Sequence, residues 1–236
     1  PMPPSARRAL DAPADSPDFA VRLEGVSFGY AETRPVLRDV NLILPTGSFH
    51  FLTGASGAGK SSLLKLLTLQ LRPTAGSVHL FGEDVTRLHP RLAHLIRRRI
   101  GVVHQDLDLL DHLSAWHNAA LPLRLAGRRI TDYGPDVEEM LRWVGLGDRM
   151  AALPPELSGG EKQRLAIARA VVAQPQMILA DEPTGSVDAA MAERLLKLFQ
   201  SLNRLGATVV IASHDEVLAE RSGAAVLRLQ DGGLIS

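Results

Sequence analysis

Cysteine is absent from the 236 residues. That excludes disulfides, thiol nucleophiles and thiolate metal sites, and it fits a reducing compartment. A surplus of either charge is missing too: Lys plus Arg and Asp plus Glu each number 26, so nothing in the balance points to a nucleic-acid backbone as ligand. Aromatic residues make up only 4% of the chain, with Tyr30 and Tyr133 as its two tyrosines. None interleaves with the arginine runs Arg97-Arg98-Arg99 and Arg128-Arg129, which leaves base reading without a stacking platform. Those arginines read foremost as solvated helix ends, with acidic lipid headgroups or an acidic partner loop as the alternative. No apolar run reaches the length of a spanning helix and no secretory signal is visible, so a membrane role is expected to need a separate membrane partner.

Lysine is scarce as well, and one of the four in the chain closes the run Gly54-Ala55-Ser56-Gly57-Ala58-Gly59-Lys60-Ser61. An apolar stretch over 49–52 precedes it and a leucine-rich stretch over 61–71 follows, which predicts strand, loop and helix in that order. Glycines let the loop turn its N–H groups toward a phosphate chain. Lys60 supplies a point charge for the β- and γ-phosphates, and the Ser61 hydroxyl, with Ser62 beside it, opens the helix at a position suited to Mg2+.

A second apolar run, 177–180, ends in Asp181-Glu182-Pro183, which predicts a buried strand delivering two carboxylates at its C-terminal edge. Asp181 is expected to hold Mg2+ opposite Ser61, and Glu182 to orient and deprotonate a water that attacks the γ-phosphate. His214 follows the apolar run 208–212 and is expected at the same edge, beside the γ-phosphate or the water. Catalysis is thus expected from Glu182, His214 and Lys60.

Ser158-Gly159-Gly160-Glu161 stands before an amphipathic helical stretch, 162–173. Ser-x-x-Glu is a capping box, and a serine with two glycines at a helix start is also an anion site. One nucleotide does not need two helix N-termini from one chain. A head-to-tail dimer resolves this, each ATP lying between the first loop of one copy and Ser158, Gly159 and Gly160 of the other.

Residues 1–18 hold five prolines and no apolar period, which predicts a disordered leader. From residue 19 to 236 strand-like runs (20–28, 41–44, 77–81, 101–103, 208–212, 224–229) alternate with helical ones, which predicts a single α/β domain. The interval from about 92 to 160 is mostly helical, with patterns over 114–126 and 136–144, and is read as a helical lobe inserted in the core. A hairpin turn is expected over 229–234.

Taken together, these motifs resemble the ATP-binding subunits of ABC transporter-type systems over 19–236. The resemblance implies a P-loop NTPase fold of that type, a mixed-sheet core with an antiparallel β subdomain and an inserted helical subdomain, and ATP with Mg2+ as ligands. It also implies that Tyr30 stacks on adenine, that Gln105 senses Mg2+ and links core to lobe, and that Asp188 communicates across the dimer. The stretch from Gln105 to Ser114, continuing to Leu123, is most similar to the FtsE type of cell-division ATPase. That likeness implies a peripheral ATPase on the cytoplasmic face of the inner membrane, paired with an FtsX-like integral membrane protein and controlling cell-wall hydrolases. Its alternative is the ATPase of a lipoprotein-release or macrolide-export system. His104 and Trp116-His117 depart from the usual pattern near the surface expected to receive the partner.

Overall fold

The computed structural model describes residues 18–30, 35–185 and 187–235. In chain order the strands are β1 (Phe19–Phe28), β2 (Leu37–Pro45), β3 (Phe49–Thr53), β4 (Ala75–Leu80), β5 (Glu83–Asp84), β6 (Ile100–Val103), β7 (Met177–Asp181), β8 (Thr208–Ala212), β9 (Ala225–Gln230) and β10 (Gly233–Ile235). The helices are α1 (Lys60–Leu67), α2 (Pro90–Arg97), α3 (Ala115–Leu125), α4 (Ile130–Trp143), α5 (Gly159–Val171), α6 (Ala189–Arg204) and α7 (Glu216–Ser222). The leader expected over 1–18 lies, except for Asp18, outside the described residues.

Among the described residues the strands form two sheets. An antiparallel sheet runs β2-β1-β4-β5, and a larger one runs β10-β9-β3-β8-β7-β6, parallel from β9 through β6 with β10 antiparallel at its edge. In the outer sheet β2 alternates buried Leu37, Val40, Leu42 and Leu44 with exposed neighbours, the pattern of a strand with one face on the core. β8 is buried at every position and β7 at all but its last, because helices cover both faces of a parallel sheet. The parallel order puts the C-terminal ends of β3, β6, β7 and β8 on one edge, where a ligand crevice forms in open α/β sheets.

Three apolar clusters hold the layers together. One joins the antiparallel sheet to α1 and the inner strands. A second packs Phe51 and Phe199 between the sheet and α5, α6 and α7. A third unites α3, α4 and α5. Helix α5 belongs to two of them: Ile167, Ala170 and Val171 face the sheet, whereas Leu165, Ala168 and Val172 face α3 and α4. Against β6 it comes so close that a Cβ on Gly101 would stand 2.2 Å from the carbonyl oxygen of Ala170.

Several elements differ from the sequence expectation. The leucine-rich helix stops at Leu67 rather than 71, since Leu69 turns to φ 58 and Arg97 of α2 donates to the carbonyls of Thr68 at 3.1 Å and Leu69 at 2.7 Å. Helix α4 starts at Ile130, well ahead of the predicted 136, and runs through Gly134 and Pro135 because Tyr133, Val137 and Leu141 make a buried stripe at i, i+4 and i+8. The strand expected over 101–103 is β6, which begins at Ile100 and pairs in parallel with β7. The arginine run at 97–99 closes α2 with Arg97 and Arg98 exposed, and each arginine also makes a defined contact: besides the bonds of Arg97, Arg98 donates to Leu125 O at 2.9 Å, and Arg99 pairs with Glu83 at 2.9 Å and lies over the Phe81 ring at 4.1 Å. Between β9 and β10 the chain reverses through Asp231 and Gly232, both at positive φ, the geometry of a tight hairpin.

Candidate active site

The glycine-rich loop leaves β3 at Thr53 and enters α1 at Lys60. Gly54 and Gly59 have φ 150 and 109, and each is pressed against the molecule: a Cβ on Gly54 would meet Leu229 O at 2.3 Å, and one on Gly59 would meet Leu37 Cδ2 at 2.9 Å. No other residue fits either place. The loop is thereby clamped between β2 and β9 while its other side stays open. Lys60 is buried, and its Nζ donates to Gly54 O at 2.7 Å and Ala55 O at 3.2 Å, folding the ammonium back under the loop.

Across the cleft, Asp181 ends β7 in register with Ala212 of β8. Glu182 follows with φ 50, uncommon for a residue with a side chain. Its N–H donates to Ala212 O at 2.9 Å. Its carboxylate is held at both oxygens: Oε1 accepts from the His214 N–H at 3.1 Å and from His214 Nδ1 at 2.9 Å, and Oε2 accepts from Ser213 Oγ at 3.3 Å. A carboxylate only accepts, so Nδ1 carries the proton in this contact and Nε2 is left to face outward. The Glu182 side chain is 18% exposed and that of His214 77%, an acceptor sheltered beside an open imidazole.

A cleft of about 900 Å3 unites these groups. Tyr30, Ser56, Gly57, Gly59, Lys60, Ser61, Ser62, Gln105, Asp181, Glu182 and His214 all line it. Gly54, Ala55 and Ala58 line an adjoining hollow on the other side of the loop. Tyr30 is 65% exposed; it sets its ring edge-on to Phe28 at 4.9 Å, and its hydroxyl is 3.3 Å from Ser62 Oγ. A mostly exposed ring at the rim of a polar cleft is suited to stacking on a planar ligand. The oxygens of Ser61, Gln105 and Asp181 form a hard donor set of the kind Mg2+ takes.

The remaining expected residues stand elsewhere. Ser158 caps α5 with its hydroxyl accepting from Glu161 N at 3.3 Å, while Glu161 accepts from Ser158 N at 2.8 Å. That reciprocal pair, with Arg149 nearby, holds the Glu161 carboxyl below its ordinary range. A Cβ on Gly159 would meet nothing within 4 Å, so this helix start is open to an approaching anion. Asp188 is exposed and caps α6, accepting from Met191 N at 2.9 Å.

Val36, Gln163 and Gly185 also line the cleft, and no sequence motif marks Val36 or Gln163 for it. Gln163 is the informative one: it is buried and donates to Pro183 O at 2.8 Å. Its signal was a polar residue on the face of α5 shared with Ile167 and Ala170.

Residues 37–185 match the ABC transporter family. The chain belongs to that family. As an ATP-binding subunit of ABC type it is an ATPase, with the mixed-sheet cassette fold described above. It is 45% identical over 214 residues to the cell division ATP-binding protein FtsE of Escherichia coli strain K12, covering 91% of this chain and 96% of that protein. It is 43% identical over 212 residues to the lipoprotein-releasing system ATP-binding protein LolD of Geobacter metallireducens, covering 89% and 94%. Among solved structures, the dimeric post-hydrolysis state of the ATP-binding cassette MJ0796 bound to ADP and Pi superposes with a TM-score of 0.85 at 35% identity, covering 92% of this ABC ATPase and 97% of that chain.

Proposed function

We propose that this ABC ATPase hydrolyses ATP in the cleft between the glycine-rich loop and Glu182, and that it does so as a head-to-tail dimer. The observation that carries the reading is the meeting of Lys60, Ser61, Gln105, Asp181, Glu182 and His214 in one cleft. Tyr30 stacks on the adenine, and the N–H groups of 54–62 with Lys60 hold the phosphates. Ser61, Gln105 and Asp181 are the residues to hold Mg2+, which when bound neutralises charge on the β- and γ-phosphate oxygens. Glu182 takes the proton of the attacking water, and His214, fixed through Nδ1, turns Nε2 toward the γ-phosphate. Ser158, Gly159 and Gly160 of a second copy close the site from the far side, and Asp188 lies on that joining surface. The dimeric MJ0796 cassette supports this arrangement by likeness. ATP bridging two copies favours closure, and loss of the γ-phosphate releases it.

The likeness to FtsE supports a finer reading. In it the ATPase sits on the cytoplasmic face of the inner membrane, and its opening and closing drive an FtsX-like integral membrane partner that controls cell-wall hydrolysis during division. No described helix is long and apolar enough to cross a membrane, so that partner supplies the span. The 43% identity to LolD favours one second reading, a lipoprotein-release ATPase. Capture from membranes with Glu182→Gln in Mg-ATP separates them: recovery of an FtsX-like subunit is expected, and recovery of a lipoprotein-release subunit instead overturns the cell-division role while leaving the ATPase intact.

A further inference from the structure

Arg169 stands in the last turn of α5, half-buried and away from the cleft. Its guanidinium donates through Nη1 to Asp108 O and through Nη2 to Leu107 O, each at 2.6 Å. Both acceptors belong to residues in the left-handed region, φ 63 at Leu107 and 46 at Asp108. Two such residues in succession are unusual in a chain segment without glycine, and they persist only where the surroundings over-determine them. The bonds within the turn are short-range, Leu107 N to His104 O at 3.0 Å and Asp108 N to Asp106 O at 2.8 Å. They close the turn without fixing where it points. Farther on, Asn118 of α3 anchors the backbone at Leu110, Leu113 and Ser114. The turn itself is tied to α5 by the planar fork of Arg169, whose two Nη donors are fixed in one plane and reach the carbonyls of Leu107 and Asp108 together. Burial lowers the Arg169 pKa, and the Asp108 carboxylate offsets part of that.

We propose that Arg169 is a positioning residue for Gln105: its fork holds the strained turn at 107–108, which carries Gln105 to the cleft, and fastens it to the helix that begins with Gly159. The inference rests on the reading of Gln105 as the contact to nucleotide and Mg2+. The loop 54–62 and Tyr30, which hold most of the nucleotide in that reading, make no bond to this turn among the described residues, so the fork is expected to bear little on ATP affinity and mainly on the Mg2+-dependent turnover that runs through Gln105.

The test uses the full chain as wild type, Arg169→Lys, Gln105→Ala and the double variant. Phosphate release is titrated in ATP and in Mg2+, and amide hydrogen exchange at 106–109 is followed without nucleotide. Arg169→Lys is expected to lower kcat about tenfold, the scale of a lost charge-assisted bond, with KM for ATP within about twofold and faster exchange at Leu107 and Asp108. In the Gln105→Ala background it is expected to remove little more, because the two act as one unit. Multiplicative losses in the double variant, or unchanged exchange, overturn the inference and leave the role of Gln105 standing. A Gln105→Ala variant with wild-type turnover and Mg2+ dependence overturns both. If Arg169→Lys does not accumulate as folded protein, Arg169→Gln, which keeps a planar amide, is read against the same outcomes.

Discussion

A single oxygen, Oε1 of Glu182, accepts from both the backbone N–H and the ring Nδ1 of His214, at 3.1 and 2.9 Å. The carboxylate and the imidazole are therefore held as one hydrogen-bonded unit. Glu182→Gln is expected to lower phosphate release by ~10²–10⁴-fold, the range of a positioned general base, with nucleotide binding retained. His214→Ala keeps the backbone bond and is expected to lose less. Combining the two should add little to Glu182→Gln alone; independent losses in a steady-state assay would show that the residues act separately.

Tyr30 presents a ring to the cleft and a hydroxyl to Ser62. Tyr30→Phe keeps the ring and is expected to bind ATP within about twofold of wild type, whereas Tyr30→Ala should lose on the order of 1–3 kcal/mol, the scale known for aromatic stacking on bases. Equilibrium titration with a fluorescent ATP analogue reads both. Equal weakening by the two substitutions would assign the binding to the hydroxyl.

Asn118 is fully buried and makes four bonds to the backbone at Leu110, Leu113 and Ser114. Asn118→Ala leaves the Leu110 N–H and the Leu113 carbonyl without this partner, while Leu110 O keeps the Leu113 N–H and Ser114 O keeps the N–H of residue 118, and it is expected to destabilise the protein by about 2 kcal/mol. Urea denaturation with an unchanged m-value checks this. A loss of only a few tenths would mean that water replaces the amide.

His50 lies buried on β3 with Nε2 2.8 Å from Ser48 Oγ, and burial lowers its pKa from the ordinary 6.5. A histidine depressed in the folded state is protonated first in the unfolded chain. Its contribution is complete above about pH 6.5 and falls away as the pH drops through the folded value. Unfolding free energy measured between pH 7.5 and 5.5 should decline more steeply for wild type than for His50→Gln. Parallel slopes would remove His50 from the acid response.

Much of the cleft was legible because parallel strands end on a common edge. Gln105 two residues past β6, Asp181 closing β7 and His214 two residues past β8 had to converge once the apolar runs were read as neighbouring strands. The phosphate loop was legible from spacing alone. What escaped notice depends on contacts between segments distant in sequence. The early stop of α1 is set by Arg97, 28 residues beyond Leu69. The early start of α4 overrides Gly134 and Pro135 through the stripe that Tyr133 begins. Gln163 looks like any polar residue of an amphipathic helix until α5 is docked against Pro183.

At Gly101 the strand that leads to Gln105 touches helix α5 backbone to backbone, with Ala170 O where a Cβ would be. The Pro175 ring flanks the same place, its Cγ 2.8 Å from where that Cβ would stand. The close seat of α5 on β6 therefore depends on the absence of one methyl group.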